Sequence, residues 1–141
     1  MNFFKNVVIN LILFLALDAV WIQVFAGRFY AEQLTAIGRF TESGDWDIRL
    51  LPAVGVYICM SVAVEVFIFG NKSLTSMQQY LRAGALLGFV TYGVYDLTNR
   101  AVLAEYPMGM VVVDMLWGTS LFVAIVWINF LFRNRLNLLR S

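Results

Sequence analysis

The chain has 141 residues, 61% of them hydrophobic and 13% charged, with a formal net charge of +1. So apolar a composition excludes an ordinary soluble domain, and so small a net charge excludes an overall pull toward nucleic acid. The absence of histidine and the single cysteine, Cys59, exclude His-based acid–base chemistry, a Ser-His-Asp triad, an internal disulfide and a CxxC redox pair.

The apolar residues fall in long blocks, and the length allows one domain. Residues 6–26 are apolar apart from Asn6, Asn10, Asp18 and Gln23. A hydrocarbon core takes about 20 helical residues, so this block is long enough to span. Lys5 with Val24-Phe25-Ala26 also fits a signal peptide, but an aspartate within the apolar region argues against that reading. Residues 27–49 read as the longest loop. Phe29, Leu34, Ile37 and Phe40 suit one face of a short surface helix, Ser43-Gly44-Asp45 is a turn signal, and Trp46 suits the membrane interface. This segment is expected to be an interfacial connector, with a lid over a site as the alternative.

Residues 50–69 form the second expected span, with Pro52 in its first turn, where a missing N–H is tolerated. Glu65 lies near its far end, and Lys72 is expected to pair with it at the interface. Asn71 to Tyr80 reads as a polar loop. The third and fourth spans are expected over 81–103 and 108–132, with Pro107 in the turn between them and Arg133, Arg135 and Arg140 in the tail. The expected fold class is all-α: an integral membrane four-helix bundle forming one domain over residues 1–141.

Loop charges set the expected orientation. One side holds Lys5, Lys72, Arg82, Arg133, Arg135 and Arg140; the other holds Arg28, Arg39, Arg49 and Arg100. Six basic residues against four place both termini in the cytoplasm.

With that topology Asp18, Asp96 and Asp114 come from different helices and fall at similar depth, in the outer half of the bilayer. Intramembrane carboxylates are costly, so each marks a candidate site. Positions i and i+3 share a helix face, which puts Asp18 with Trp21, Asp96 with Asn99 and Asp114 with Trp117. Tyr92 and Arg100 flank Asp96 at one turn on either side, and Tyr95 adjoins it. The candidate catalytic set is therefore Asp18, Asp96 and Asp114. The candidate substrate-binding set is Trp21, Tyr92, Tyr95, Asn99, Arg100 and Trp117. Like charges at one low-dielectric site do not all ionise, so at least one carboxyl is expected to carry a proton, with Arg100 as counter-ion to Asp96 and Asp114 as donor. The plainer reading is a brace, in which Asp96 pairs with Arg100 while Asp18 and Asp114 accept from Trp or Tyr across helices. Gly84 and Gly88 make a small-xxx-small pair that permits close helix approach within the bundle or in a homo-oligomer.

The stretches LDAVWIQVFAGRFY, GDW, GALLGFVTYGVYDLTN and VDMLWG resemble a bacterial family of predicted membrane proteins, domain-of-unknown-function family 2177. The resemblance implies a four-helix protein of the bacterial inner membrane and brings no reaction with it. From the residues themselves three functions compete. The first is a pocket that binds an apolar lipid or isoprenoid, or isomerises or cyclises it, with an Asp as proton donor and the faces of Trp21 and Trp117 steadying a cation. The second is a small proton-coupled transporter or channel, for which the other half of the membrane offers only Asn6, Asn10, Ser61 and Glu65 as polar residues. The third is an accessory or structural subunit. None calls for a cofactor or a metal; the expected partner is a membrane lipid or an apolar small molecule, not nucleic acid.

Overall fold

The computed structural model describes residues 2–138, with side chains as far as Arg133; the side chains of the tail residues Arg135 and Arg140 lie outside the described residues. Four helices account for most of the chain: α1 (Phe3–Gln33), α2 (Leu50–Phe69), α3 (Met77–Val102) and α4 (Met108–Leu138). Each is antiparallel to the next. One end of the assembly therefore carries the start of α1 and the end of α2; the other carries the end of α1 and the α3–α4 turn. These are called here the first and second ends.

Helix α1 departs from expectation. It does not stop at residue 26 but runs on to Gln33 through a π-helical turn at Trp21–Ala26. A matching π turn, Val64–Phe69, ends α2. Both close on a glycine. The N–H of Gly27 donates to the Ile22 carbonyl, and that of Gly70 to the Glu65 carbonyl. A Cβ on Gly27 would stand 2.6 Å from Ile22 O, and one on Gly70 2.6 Å from Val66 O, so a side chain at either position would collide with the wider turn. Helix α3 starts earlier than the expected span because Ser76 and Gln79 form a capping box, satisfying free N–H groups at its first turn.

Three helices are both long and apolar enough to cross a membrane: those over Phe3–Gln33, Leu50–Phe69 and Met108–Arg133. Four such spans are expected from the sequence, and the fourth helix by count is α3. Helix α3 has 26 residues, ample for a crossing, but Arg82, Asp96, Asn99 and Arg100 lower its hydropathy. It lies along α4 at close range. A Cβ on Gly88 would meet the Gly118 carbonyl oxygen at 2.5 Å, and one on Gly118 would stand 2.1 Å from the Tyr92 ring. Gly84 and Gly88 are both buried in this seam, Gly84 against Val126 and the Phe122 carbonyl.

The core sits where all the helices meet. Phe14 of α1, Met60, Val64 and Ile68 of α2, and Leu121, Phe122, Ile125 and Val126 of α4 are buried together, with Leu87 and Tyr92 of α3 packed on them. Phe14 meets Phe122 edge-on at 5.1 Å between centroids. The outward faces are apolar as well: Phe4, Ile12, Leu51, Phe67, Leu86 and Leu116 are each at least 60% exposed. An apolar exterior of that extent suits lipid contact rather than water. Between α1 and α2 the chain makes a small closed loop. Phe40 and Trp46 face each other at 4.5 Å, Arg39 pairs with Asp47 at 2.6 Å, and Gly44 turns the chain at φ 87°.

Candidate functional site: a carboxylate and aromatic cluster

Three carboxylates lie toward the second end, and each meets an aromatic donor from another part of the chain. Asp18 on α1 takes two. Its Oδ2 accepts from the Tyr57 hydroxyl of α2 at 2.5 Å, and its Oδ1 from Trp117 Nε1 of α4 at 2.7 Å. One side chain thus ties three helices. Asp114 on α4 is 8% exposed and accepts from the Tyr30 hydroxyl at 2.5 Å, while Tyr30 itself accepts from Trp21 Nε1 at 2.9 Å. Trp21 and Trp117 lie flat on each other, with centroids 4.4 Å apart and planes within 6°. The two acids therefore belong to one assembly, running from Tyr57 through Asp18, Trp117, Trp21 and Tyr30 to Asp114.

Asp96 stands beside this assembly. It is fully buried, and its Oδ1 accepts from the Tyr106 hydroxyl at 2.6 Å, while Oδ2 has no partner. Tyr106 lies in the α3–α4 turn and packs in a small cluster with Met110, Val111, Phe29 and Tyr30. Burial, reinforced by the bond to Asp96, pushes the Tyr106 phenol up, so it stays protonated and donating. Arg100 is not the counter-ion of Asp96. Its guanidinium donates to the Tyr106 carbonyl at 2.9 Å, because α3 ends at Val102 and the chain turning back offers that oxygen first.

The remaining expected residues divide. Tyr92 packs its ring over Gly118, at the back of the assembly. Tyr95 is 60% exposed, and Asn99 is half-buried one turn beyond it. Tyr92 and Tyr95, with Val56, Met60 and Thr91, line a cavity of about 270 Å³ between α2 and α3. It exists because α2 meets α3 through its π turn, while the Leu50–Ala63 part stands away. A larger hollow of about 560 Å³ lies between Phe89, Val94, Leu97 and Met115, but no titratable group lines it. The smaller cavity is the one lined by phenols, those of Tyr92 and Tyr95.

Toward the first end lies a second polar cluster. Glu65 does not pair with Lys72. It is 6% exposed and turned inward, bonded to Arg133 of α4 and accepting from Asn6 and Asn10 of α1 at 3.1 Å each. Arg133 also lies over the Phe69 ring, 3.7 Å from its centroid, so a cation–π contact holds the guanidinium at the helix ends. Among the described residues no group of three or more acidic, Cys or His side chains is placed to hold a metal.

Tyr30, Tyr57 and Tyr106 were not among the expected site residues. Tyr30 falls in a stretch that reads as loop, and Tyr57 and Tyr106 carry no charge to draw attention in apolar sequence. A buried carboxylate needs donors, however, and in a chain without histidine phenols and indoles are the natural ones.

A family model described as a predicted membrane protein (DUF2177) matches residues 3–131. No curated protein and no solved structure matches the chain.

Proposed function

The chain belongs to the DUF2177 family of predicted membrane proteins, and from that premise we propose that this integral membrane protein is a four-helix bundle of the bacterial inner membrane, its termini cytoplasmic, which binds an apolar lipid chain between α2 and α3. The observation that carries the reading is the cavity lined by Val56, Met60, Thr91, Tyr92 and Tyr95. Its wall is largely apolar, it opens between two helices that part toward the second end, and Tyr92 and Tyr95 supply its phenols. About 270 Å³ is enough for part of an acyl or isoprenoid chain, not for a whole lipid.

Binding fits this geometry better than catalysis. The indoles of Trp21 and Trp117 are spent on each other, and Phe25 stacks on Trp21 at 5.9 Å. A carbocation would find little free indole face. Asp18 already accepts on both oxygens and Asp114 on one, so these acids are engaged in tying helices together. The test is Val56→Trp. Val56 is 56% exposed, so the fold tolerates a larger side chain there, while the indole fills the cavity mouth. Native mass spectrometry of protein extracted in mild detergent reads retained lipid. The variant is expected to keep its stability and lose the retained lipid; equal retention in both proteins would overturn the reading.

A further inference from the structure

The cluster at the first end has an unmet demand. The Glu65 carboxylate only accepts, so Asn6 and Asn10 both turn their NH2 groups to it. Their oxygens must then face away. Asn6 Oδ1 and Asn10 Oδ1 are buried without a partner, and so is Arg133 Nε. Asn6 is 4% exposed and Asn10 is fully buried, so bulk water does not meet the need. The two amides lie one helical turn apart, with about 5–6 Å between their Cβ atoms. What is missing is two donors and one acceptor. One water molecule has two O–H groups and free lone pairs, and matches that set.

The position of this cluster matters. Asn6, Asn10, Phe14 and Asp18 follow one another at four-residue intervals on α1 and share one face. Asn10 also reaches the Ser61 carbonyl at 3.4 Å, and Ser61 reaches back along α2 to the Tyr57 carbonyl at 2.7 Å. Tyr57 is the residue that binds Asp18. On α1, between Asp18 and the asparagines that bind Glu65 of α2, stands Phe14, fully buried on Phe122. Asn10 and Asp18 are about 12 Å apart along the helix axis, with this ring midway.

We propose that Asn6, Asn10 and Arg133 hold an internal water beside Glu65, and that Glu65 and Asp18 are two stations of a proton route along α1 which the Phe14 ring closes. A proton entering at the first end adds to the Glu65 carboxylate, turning it into the acid and releasing Arg133 from the ion pair. With Phe14 out of the way, water carries the proton on to the Asp18 carboxylate; Glu65 ionises again and re-forms its pair. Asp18 then gives the proton up toward the second end. The groups facing the stations are Asn6 and Asn10 from α1 and Arg133 from α4 at Glu65, and Tyr57 from α2 and Trp117 from α4 at Asp18, with Asp114 of α4, Tyr30 of α1 and Tyr92 of α3 within electrostatic reach of Asp18. The route does not rest on lipid binding, since none of its residues lines the cavity between α2 and α3.

The experiment uses the full chain in liposomes with a trapped pH-sensitive dye and a potassium gradient clamped by valinomycin. Wild-type protein is expected to pass protons no faster than empty liposomes. Phe14→Ala is expected to raise the flux tenfold or more, and adding Asp18→Asn or Glu65→Gln to it should return the flux to the empty level. A Phe14→Ala flux equal to wild type, or one that survives both second substitutions, overturns the route. The wild-type chain gives a separate reading that needs no variant to fold: solid-state NMR transfer of magnetisation from water to the Asn10 side-chain amide. Transfer is expected, and its absence overturns the water site and the route with it.

Discussion

Replacing glycine by alanine at residues 55, 84 and 88 separates helix propensity from helix contact. In a helix the exchange gains about 1 kcal/mol from the backbone alone. At Gly55 the new Cβ meets nothing within 4 Å, so the gain stands uncontested and the variant is expected to be more stable by up to about 1 kcal/mol. At Gly84 the Cβ comes 3.0 Å from Val126 Cγ2 and 3.3 Å from the Phe122 carbonyl. The valine can give by a few tenths of an ångström, and the net change is expected to be about zero. At Gly88 the nearest atoms are Gly118 O at 2.5 Å, Phe122 Cβ at 2.9 Å and Gly118 C at 3.1 Å. The closest is backbone, so no rotamer relieves it and α3 must move off α4. Overpacking of this kind costs about 1–3 kcal/mol, and an obstacle with no freedom to turn belongs in the upper part of that range. Set against the propensity gain, Gly88→Ala is expected to be less stable by about 1–2 kcal/mol. The assay is reversible unfolding in mixed micelles of increasing SDS fraction, followed by tryptophan fluorescence. The order Gly55→Ala, Gly84→Ala, Gly88→Ala from most to least stable is the expected result. A Gly88→Ala protein as stable as wild type would refute the close α3–α4 contact on which the placement of Tyr92 depends.

The same assay compares the acids. Asp18→Ala strands two donors, Tyr57 O–H and Trp117 N–H, whereas Asp114→Ala strands only Tyr30 O–H; at about 1 kcal/mol per half-buried donor the first is expected to cost about twice the second. Asp114→Asn keeps an acceptor for Tyr30, and a membrane interhelical bond averages about 0.6 kcal/mol, so a loss beyond about 1 kcal/mol would mean that the negative charge itself stabilises the fold. For orientation, a reporter active only in the cytoplasm is expected to work when fused after Ser141 and to fail when inserted at Gly44; the opposite pattern would invert the assignment.

Much of the fold was legible because a membrane helix leaves a long, largely apolar block, and even α3, with its polar residues, keeps the length of one. The acids were legible for the opposite reason: a carboxylate in such a block is costly enough to need a cause. The pairing of Asp18 with Trp117 is of the kind the brace reading expected, since an indole is a donor with an apolar body. What failed was local inference about partners. Arg100 sits one turn from Asp96 yet bonds a turn carbonyl, and Lys72 lies near Glu65 in sequence while Arg133, far along the chain, takes the carboxylate. Proximity along a helix says which groups share a face, not which neighbour that face meets. The π turns were also not legible. A single residue beyond the α-helical repeat leaves no mark in composition, and so Tyr30 was read as part of a loop.

That extra residue sets the phase of α1. Nine residues of plain α-helix make two and a half turns, which would leave Tyr30 on the face opposite Trp21. The π turn from Trp21 to Ala26 absorbs one residue locally, and Tyr30 comes back to within about a quarter turn, where it bonds Trp21 and Asp114 together. In geometric terms such a turn is a one-residue phase shift built into a continuous helix. The helix before it keeps one register and the helix after it another, and the phenol reaches its carboxylate because the two registers differ. A second such shift begins at Val64, immediately before the glutamate that gathers the cluster at the first end.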